Sequence, residues 1–578
     1  MAGSKTEFVF NPVNVERFDY LVHRLKEEGI YYGVDAVSFI GYKGLSWDAG
    51  LAARYRERYM VDEESREDWA RGAGPMLTHV NPFTKTSLVG DPSVVYITCF
   101  NEQDLAFSSD STFNHPDFRQ KAQAKWRAFL AESYKNDAPG LSKIWGISDA
   151  GSAAMYTMGD ISGGGARASD VGKFLFQLED RMAAWYLEKL KEYGYEGLAV
   201  QYDVLSQFLH HAVHARNNAV ANHGYHGHPS DGSRPGSRVQ QDGSVAGGGA
   251  YFRSRLAARY LDRPFFITEY GTPFWGRYRH EETLLFPAYS GLQGIPGITV
   301  HMQTVILKAN QPMDDFYVGR DPVGRASQVM AAFLYGRGDV TASKKRVEEV
   351  VDDTWVFQGG NIFKSVESGV SRISLLSGFG LRYAGRSVPA GIPAAPAADL
   401  TLKVEGGGEI AATGWTATTV DSKNSDSASR IISEMRSRGI LKPDNLTDHS
   451  KGIYQSDTGE ILLESGLERM SVATPKSCGV ILKAGASGNA GNLVWAKTSV
   501  AAAVGLSALD GKTLSESKRL LLLYVTDAVN TGHETSEDRV VLKKLGEFPI
   551  LVQAGNASFK IKNGNASGLH CWALGMDG

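Results

Sequence analysis

The stretch VVYITCFNEQD (Val94–Asp104) places a run of apolar and β-branched residues directly before an Asn-Glu pair. Such a run is typical of a buried strand in a parallel sheet, because helices cover both faces of such a sheet. The same arrangement recurs at RPFFITEYG (263–271), where Glu269 follows another apolar run. Each stretch therefore predicts a buried strand with a glutamate, Glu102 or Glu269, at its carboxyl end.

Strand-like and helical segments alternate between about residue 13 and residue 340. Apolar residues at helical spacing mark amphipathic helices, whereas short β-branched or aromatic runs mark strands. This alternation is typical of a parallel sheet covered by helices. The strand candidates are residues 31–40, 94–100, 197–203, 217–228, 265–271 and 297–305. We therefore expect an α/β fold in which the carboxyl ends of the strands meet at one face, as in a β/α barrel.

The composition changes after about residue 345, where Gly, Ser, Ala and Pro become dense. Short apolar runs between turn signals indicate an all-β region there. We expect a β/α region at 1–345, a linker and irregular or β region with one helix at 346–450, and a β-sandwich-like domain at 451–578. A Gly/Ser-rich loop at 228–249 interrupts the first region and is a candidate lid or substrate-binding loop.

Charge and cysteine content exclude several classes of protein. The 578 residues carry a net charge of −3 without a Lys/Arg-rich block, so we expect no nucleic-acid partner. The three cysteines, Cys99, Cys478 and Cys571, have no paired spacing, which argues against a disulfide framework or a thiolate metal site. No apolar run is long enough to span a bilayer, so no membrane partner is expected. The N-terminus lacks the apolar region of a signal peptide, which leaves a cytoplasmic location, or a secreted or periplasmic one if a longer precursor exists.

Two carboxylates at strand ends can serve the chemistry of a glycosidase. One carboxyl group protonates the departing oxygen, and the other attacks the anomeric carbon or activates a water molecule. A single glutamate after a strand is commonly only a solvated strand end. The pair Glu102 and Glu269, with Asn101 before one and TEYG around the other, makes a catalytic interpretation more specific.

Four segments together resemble glycoside hydrolase clan A, and its β-galactosidase-like members in particular. The first is the Asn101-Glu102 pair with Glu269 three β/α units later. The second is KWRAFLAESYKNDAPGLSKIWGI, in which the matching residues are Trp126, Phe129, Leu130, Tyr134, Leu141, Trp145 and Gly146. The third is NHGYHGHP, in which the matching residues are His223, Tyr225, His228 and Pro229. The fourth covers residues 507–532. The resemblance implies a (β/α)8 TIM-type barrel followed by a C-terminal all-β domain, and a retaining mechanism.

The resemblance also implies a role for each site residue. Glu102 would be the acid/base and Glu269 the nucleophile, with Tyr225 donating a hydrogen bond to Glu269. Asn101 would hold the sugar 2-hydroxyl. The remaining candidates for substrate binding are His223, His228, Trp275, His301, Gln303 and Tyr202. We expect the apolar strand before Glu102 to raise the pKa of that acid, while Glu269 stays ionised.

Two of these assignments have alternatives that the residues leave open. Trp275 either stacks on a sugar ring or lies in the core under a loop. The histidines of HGYHGH could bind a metal ion, but no nearby cysteine or carboxylate completes a ligand set, so we expect neither a metal nor a cofactor.

The first two β/α units of an eight-stranded barrel are missing from this chain, in which six strand candidates are found. An open barrel would expose strand edges and its apolar interior. Four explanations stay open: a longer natural protein, a homo-oligomer or second chain that completes the barrel, a misassigned strand, or a decayed variant.

The sequence thus predicts a retaining O-glycoside hydrolase that acts on an oligo- or polysaccharide with β-linkages, of the β-galactoside type or related to it. The alternative is a carbohydrate-binding barrel protein with impaired catalysis. A barrel with other chemistry, such as a lyase or metal-dependent hydrolase, is a third interpretation. The sugar, the linkage and exo or endo action are not fixed by the sequence.

Overall fold

The structure is a computed structural model that describes residues 10–37, 58–105, 116–152, 164–201, 203, 206–302, 305, 308, 310–386, 389, 392, 396–404, 418–420 and 427–575. Helices of seven or more residues in these ranges are α1 (Pro12–Glu27), α2 (Glu63–Thr78), α3 (Pro116–Ser133), α4 (Ala138–Trp145), α5 (Gly165–Glu192), α6 (Phe208–His214), α7 (Ala250–Leu256), α8 (Leu285–Gln293), α9 (Pro322–Ala331) and α10 (Ser427–Ser437). None of the described helices is long and apolar enough to cross a membrane.

Six parallel strands form two three-stranded sheets in the first half of the chain. The first sheet has the order β1 (Tyr32–Asp35), β2 (Val94–Thr98), β3 (Leu198–Val200), and the second has the order β4 (Val220–Tyr225), β6 (Phe265–Gly271), β7 (Gly297–Val300). Every pairing is parallel. Each strand lies within one of the six predicted segments, so the strand assignment is confirmed.

The two parallel sheets meet through side chains. Tyr96 of β2 packs against Phe266 of β6 with ring centroids 4.7 Å apart. Phe266 also belongs to a buried apolar cluster with Val200, Ala219 and Ala221. Among the described residues no ladder joins β3 to β4 or β7 to β1, and a complete eight-stranded barrel is not seen.

The helices anchor the strand end that leads to Glu102. The indole of Trp69, on α2, is fully buried and donates from Nε1 to the carbonyl oxygen of Cys99 at 2.9 Å. Trp69 also packs against Tyr186 of α5, with ring centroids 5.1 Å apart. The segment between β2 and Glu102 is therefore held in place by α2, which in turn packs against α5.

A third parallel sheet, of four strands, lies in the 346–450 region, for which the sequence predicts a linker and irregular or β structure with one helix. Its order is β11 (Thr418–Val420), β10 (Leu400–Val404), β8 (Arg346–Val351), β9 (Gly378–Tyr383). The one helix expected there is α10. The parallel pairing was not anticipated because the strands are short and long Gly-, Ala- and Pro-containing segments separate them.

The C-terminal part is antiparallel, as expected. A six-stranded sheet has the order β12 (Ile453–Gln455), β13 (Ile461–Glu464), β14 (Arg469–Ala473), β15 (Ser477–Leu482), β18 (Ala502–Ala508), β19 (Leu520–Val525), and a three-stranded sheet has the order β16 (Ser487–Ala490), β17 (Leu493–Thr498), β24 (Ala557–Ile561). Two-stranded ladders join β20 (Ala528–Thr531) to β23 (Glu547–Val552) and β21 (Glu534–Thr535) to β22 (Leu542–Lys544). Side chains of both larger sheets share one apolar cluster, so the two sheets pack together.

The 228–249 loop docks on the C-terminal part through backbone hydrogen bonds. It contains β5 (Ser230–Ser233). Gly236 donates to the Leu542 carbonyl at 2.8 Å, and Val239 donates to the Val540 carbonyl at 3.0 Å. The Val239 side chain is fully buried. These hydrogen bonds argue against a lid, because another part of the protein holds the backbone of this segment, whereas a role in substrate binding stays a prediction.

Candidate active site

The two glutamates lie at the ends of strands from different sheets. Glu102 comes four residues after β2, and Glu269 lies inside β6, two residues before its end at Gly271. His223 on β4 pairs in register with Glu269, next to a β-bulge between Asn222 and His223. Asn222 pairs with Ile267 and His223 with Glu269, so the extra residue at this register shift is Thr268 of β6.

One imidazole ring contacts both carboxylates. His223 Nε2 lies 2.9 Å from Glu102 Oε1, and His223 Nδ1 lies 3.7 Å from Glu269 Oε1. The His223 side chain is 1% exposed, whereas those of Glu102 and Glu269 are 18% and 17% exposed. Two acidic side chains far apart in the sequence therefore meet across a single buried ring, with access to solvent.

A third carboxylate, Asp203, lies behind the pair. Its Oδ2 accepts from Thr268 Oγ1 at 2.8 Å and lies 3.5 Å from His223 Nδ1. Its Oδ1 accepts from the backbone N–H of Glu102 at 3.5 Å. In the sequence Asp203 follows GLAVQ and Tyr202, where it could be a third acid of the cleft or a solvated strand end. The position of Asp203 at a strand end is the signal that could have identified it as a residue of the site.

Aromatic side chains surround the far side of Glu269. The Tyr225 hydroxyl donates to Glu269 Oε2, and His301 Nδ1 lies 3.5 Å from the same oxygen. The Tyr225 ring packs against His301, His228 and Phe316, with centroids 5.4, 5.3 and 4.7 Å away. Phe316 was missed, because it lies in a loop without a periodic pattern.

Burial and neighbouring charges set the protonation of this cluster. Burial lowers the pKa of His223, but the charges and hydrogen bonds of Asp203, Glu102 and Glu269 outweigh it and hold that pKa well above its ordinary value. Burial raises the pKa of Glu269 to about 8, with further contributions from the charges of Asp203 and Glu102 against the opposing cation of His223. Burial, followed by the His223 cation, lowers the pKa of His301 to about 4. At neutral pH the cluster thus contains a cationic His223, a neutral His301 and a retained carboxyl proton.

This result differs from the expectation that Glu269 stays ionised. The expected donor, Tyr225, is in place, but burial of the carboxyl group raises its pKa. The charges of Asp203, Glu102 and Asp35 also raise the pKa of Glu269, whereas the His223 cation lowers it. The Tyr225 donor can be predicted from the sequence, whereas the number of acids that converge on Glu269 depends on the packing of separate strands.

The backbone at the Asn101-Glu102 pair is unusual. Glu102 has φ of +54°, a left-handed conformation that is uncommon for a residue other than glycine. Asn101 is 2% exposed, and its backbone N–H donates to the Val37 carbonyl at 2.9 Å. Its side-chain oxygen has no hydrogen-bond partner among the described residues. Strained backbone and unsatisfied buried polar atoms are features that ligand-binding sites tolerate.

The remaining predicted substrate-binding residues are Trp275, His228, Tyr202 and Gln303. Trp275 is fully buried and donates from Nε1 to the Arg539 carbonyl at 3.1 Å. The assignment of Trp275 to substrate binding is therefore wrong, because its ring packs between the two halves of the chain and faces no solvent. His228 is exposed, at the rim beside Tyr225. Tyr202 and Gln303 lie outside the described residues.

In the described part of the chain, potential metal-ligand atoms lie within 4.8 Å of one another in the group Asp104, Glu179 and His210. Such a group is not found among the described histidines of HGYHGH. Glu102 and Glu269 equip the candidate active site with groups suited to acid, base and nucleophilic chemistry.

No protein-family model matches this chain, and no curated protein sequence matches it. Several solved structures resemble part of it. The endo-1,4-β-D-mannanase of Thermotoga petrophila RKU-1 aligns with 55% of this chain and 79% of its own length, at 13% identity and a TM-score of 0.34. The β-galactosidase of Rahnella sp. R3 aligns with 67% of this chain and 59% of its own length, at 14% identity and a TM-score of 0.43.

The β-galactosidase of Bacillus circulans sp. alkalophilus aligns with 69% of this chain and 62% of its own length, at 13% identity and a TM-score of 0.40. This chain thus spans about three fifths of the length of the two β-galactosidases. The chain is similar to solved structures of glycosidases, at a level where the functional conclusion depends on the residues of the site.

Proposed function

We propose that this protein is a retaining O-glycoside hydrolase that cleaves β-glycosidic bonds, with Glu102 as acid/base and Glu269 as nucleophile. The observation that carries the proposal is the contact of both carboxylates with the single imidazole of His223. Two carboxyl groups that face one sugar ring are the catalytic equipment of glycosidases.

The reaction proceeds in two displacements. In the first, the Glu269 carboxylate bonds to the anomeric carbon while the bond to the leaving oxygen breaks, and the Glu102 carboxyl group transfers its proton to that oxygen. In the second, Glu102, now a carboxylate, takes a proton from a water molecule. The water oxygen bonds to the anomeric carbon as the ester bond to Glu269 breaks, which restores both side chains.

The raised pKa of Glu269 sets the proton balance of this mechanism. One neutral acid and one ionised nucleophile must coexist, so the pair has to retain one proton at the working pH. Burial and the neighbouring acids retain such a proton, and the free site holds it on Glu269. In the reactive complex the proton must lie on Glu102. We expect bound sugar hydroxyls and the Tyr225 donor to favour the ionised form of Glu269.

The buried amide of Asn101 supports a sugar contact. Its side-chain oxygen is unsatisfied among the described residues, and a buried acceptor without a donor costs about 1 to 3 kcal/mol. A sugar hydroxyl would satisfy that oxygen when substrate binds. The substrate class that we propose is a β-linked galactoside or a related polysaccharide, on the basis of the four segments that resemble clan A.

A second candidate function is a carbohydrate-binding protein with impaired catalysis. The described part of the chain favours it, because six parallel strands are seen there and not the eight of a complete barrel. This candidate keeps the sugar contacts and loses turnover, so that an activity measurement separates the two.

The test compares Glu102→Ala and Glu269→Ala with the wild type on aryl β-glycosides, in the presence and absence of azide. We expect both variants to lose hydrolysis. Azide should restore Glu269→Ala with an α-glycosyl azide as product, and Glu102→Ala with a β-glycosyl azide, because azide replaces the nucleophile in one case and the second-step water in the other. Glu196→Ala, at an exposed position before β3, is the matched control.

Three results would contradict the proposal. Full activity in either glutamate variant would show that the catalytic pair is wrong. A wild-type product of inverted configuration by NMR would exclude the double displacement. A wild type that binds oligosaccharides without turnover on a broad panel would establish the carbohydrate-binding alternative.

A further inference from the structure

A second group of ionisable side chains lies behind the loop that carries Glu102. Asp104 comes from that loop, Glu179 from α5 and His210 from α6. All three residues are 0% exposed. One ligand-capable atom of each lies within 4.8 Å of those of the other two, and His210 Nε2 is 3.3 Å from Asp104 Oδ1. Three separate parts of the chain thus bring two carboxylates and one imidazole together in the interior.

A divalent cation matches this set of ligand atoms. Carboxylate oxygens and an imidazole nitrogen that converge in the interior, away from water, are atoms that such an ion takes as ligands. A divalent cation with a neutral imidazole would neutralise both carboxylates. The N–H of Leu105 donates to Glu179 Oε1 at 2.6 Å, which fixes that carboxylate in the manner of an outer hydrogen bond to a metal ligand.

We propose that Asp104, Glu179 and His210 bind one divalent transition-metal cation of the Zn²⁺ or Mn²⁺ class. Imidazole nitrogen suits Zn²⁺ and carboxylate oxygen suits both ions. His214, four residues after His210 on α6 and also buried, has its ring centroid 6.3 Å from that of His210. His214 or a water molecule is the candidate for the next ligand.

The role of this site is to position the loop and not to take part in the reaction. Closed, fully buried sites are structural, whereas catalytic sites keep an open position. Asp104 lies two residues after Glu102, and the intervening Gln103 accepts from the Tyr186 hydroxyl at 2.8 Å. The cation would hold this segment to α5 and α6, and so fix the conformation in which Glu102 reaches His223.

The test measures metal content and thermal stability of the full chain, independently of any glycosidase activity. The protein is stripped with a chelator, reloaded with Zn²⁺ or Mn²⁺, desalted and analysed by elemental mass spectrometry. The variants are His210→Gln and Asp104→Asn. His211→Gln is the matched control, because His211 is a buried histidine on the same helix whose Nε2 lies 3.1 Å from the Ser206 carbonyl oxygen.

We expect about one equivalent of metal in the wild type and in His211→Gln, and about tenfold less or lower in His210→Gln and Asp104→Asn. Zn²⁺ or Mn²⁺ should raise the Tm of the stripped wild type and of His211→Gln, and not that of the two ligand variants. Titration of the stripped wild type with Zn²⁺ keeps the test decisive if a ligand variant fails to fold. A wild type that retains no metal and shows no Tm shift would overturn the proposal and leave a metal-free His–Asp ion pair. Equal loss of metal in His211→Gln would overturn it as well.

Discussion

His223 Nε2 lies 2.9 Å from Glu102 Oε1, and this contact joins β4 of one parallel sheet to the end of β2 of the other. No backbone ladder connects the two sheets in the described part of the chain. A buried cation therefore links two sheets and at the same time lies between the two glutamates of the candidate site.

Replacement of His223 by Gln tests this double role. The change removes a buried cation from the vicinity of three carboxylates, which then repel each other. We expect the free energy of unfolding at pH 7 to fall by about 3 to 5 kcal/mol, as for other broken buried ion pairs. Urea unfolding measures the change. His228→Gln, at an exposed position, should change the free energy of unfolding by less than about 0.5 kcal/mol. Equal effects of the two variants would contradict a structural role for the His223 cation.

Replacement of Tyr225 by Phe removes the hydroxyl that donates to Glu269 and retains the ring that packs on Phe316. Loss of a donor to the ionised carboxyl group raises the pKa of Glu269 further. We expect kcat to fall by about 10² to 10³-fold with little change in KM. The acidic limb of the kcat/KM profile, in which the nucleophile must ionise, should move to higher pH. A lower kcat with an unmoved acidic limb would argue against the contact with Glu269.

The pKa of Glu269 also predicts how stability depends on pH. Its pKa is about 8 in the folded protein against an ordinary value of 4.5, so the folded state retains a proton that the unfolded chain has released. Stability contributed by this group therefore falls as pH rises from about 4.5 to about 8. Glu269→Gln should be more stable than the wild type at pH 8, with the difference disappearing toward pH 4.5. Thermal unfolding across this range, with Glu196→Gln as control, measures the difference. A gain that does not depend on pH would contradict the raised pKa.

Replacement of Trp275 by Phe distinguishes a core residue from a sugar platform. The indole is fully buried and bonded to the Arg539 carbonyl, so the change removes packing and a buried hydrogen bond. We expect a loss of about 1 to 3 kcal/mol in the free energy of unfolding. KM for glycosides should stay within about twofold, since the ring faces no substrate. A large rise in KM without loss of stability would restore the sugar-stacking interpretation.

The strands and the central contacts of the site follow from local sequence signals. An apolar run that stops at a polar residue fixes both a buried strand and the direction of its carboxyl end, so Glu102 and Glu269 could be located before their neighbours were known. The Tyr225 contact with Glu269 followed from the resemblance of NHGYHGHP to a known motif. His301 also lies within reach of Glu269, at the end of the last strand.

Long-range properties could not be read in the same way. The burial of Trp275 depends on Arg539, which lies 264 positions away in the sequence. The raised pKa of Glu269 depends on how many acids converge on it from separate strands. His210 and Glu179 lie on helices, where a histidine or a glutamate is usually an ordinary surface or core residue. Only the packing of α5 and α6 against the loop after β2 brings them to Asp104.

The 228–249 loop couples the unfolding of the two halves of the chain. Its first residue, His228, follows the Tyr225 that contacts Glu269 by only three positions, and its middle is tied to the β-rich part through Leu542 and Val540. A chain shortened before those residues would lose the support for the end of β4. The β-rich part therefore supports the strand ends that carry the candidate active site. We expect the two halves of the chain to unfold in one cooperative transition.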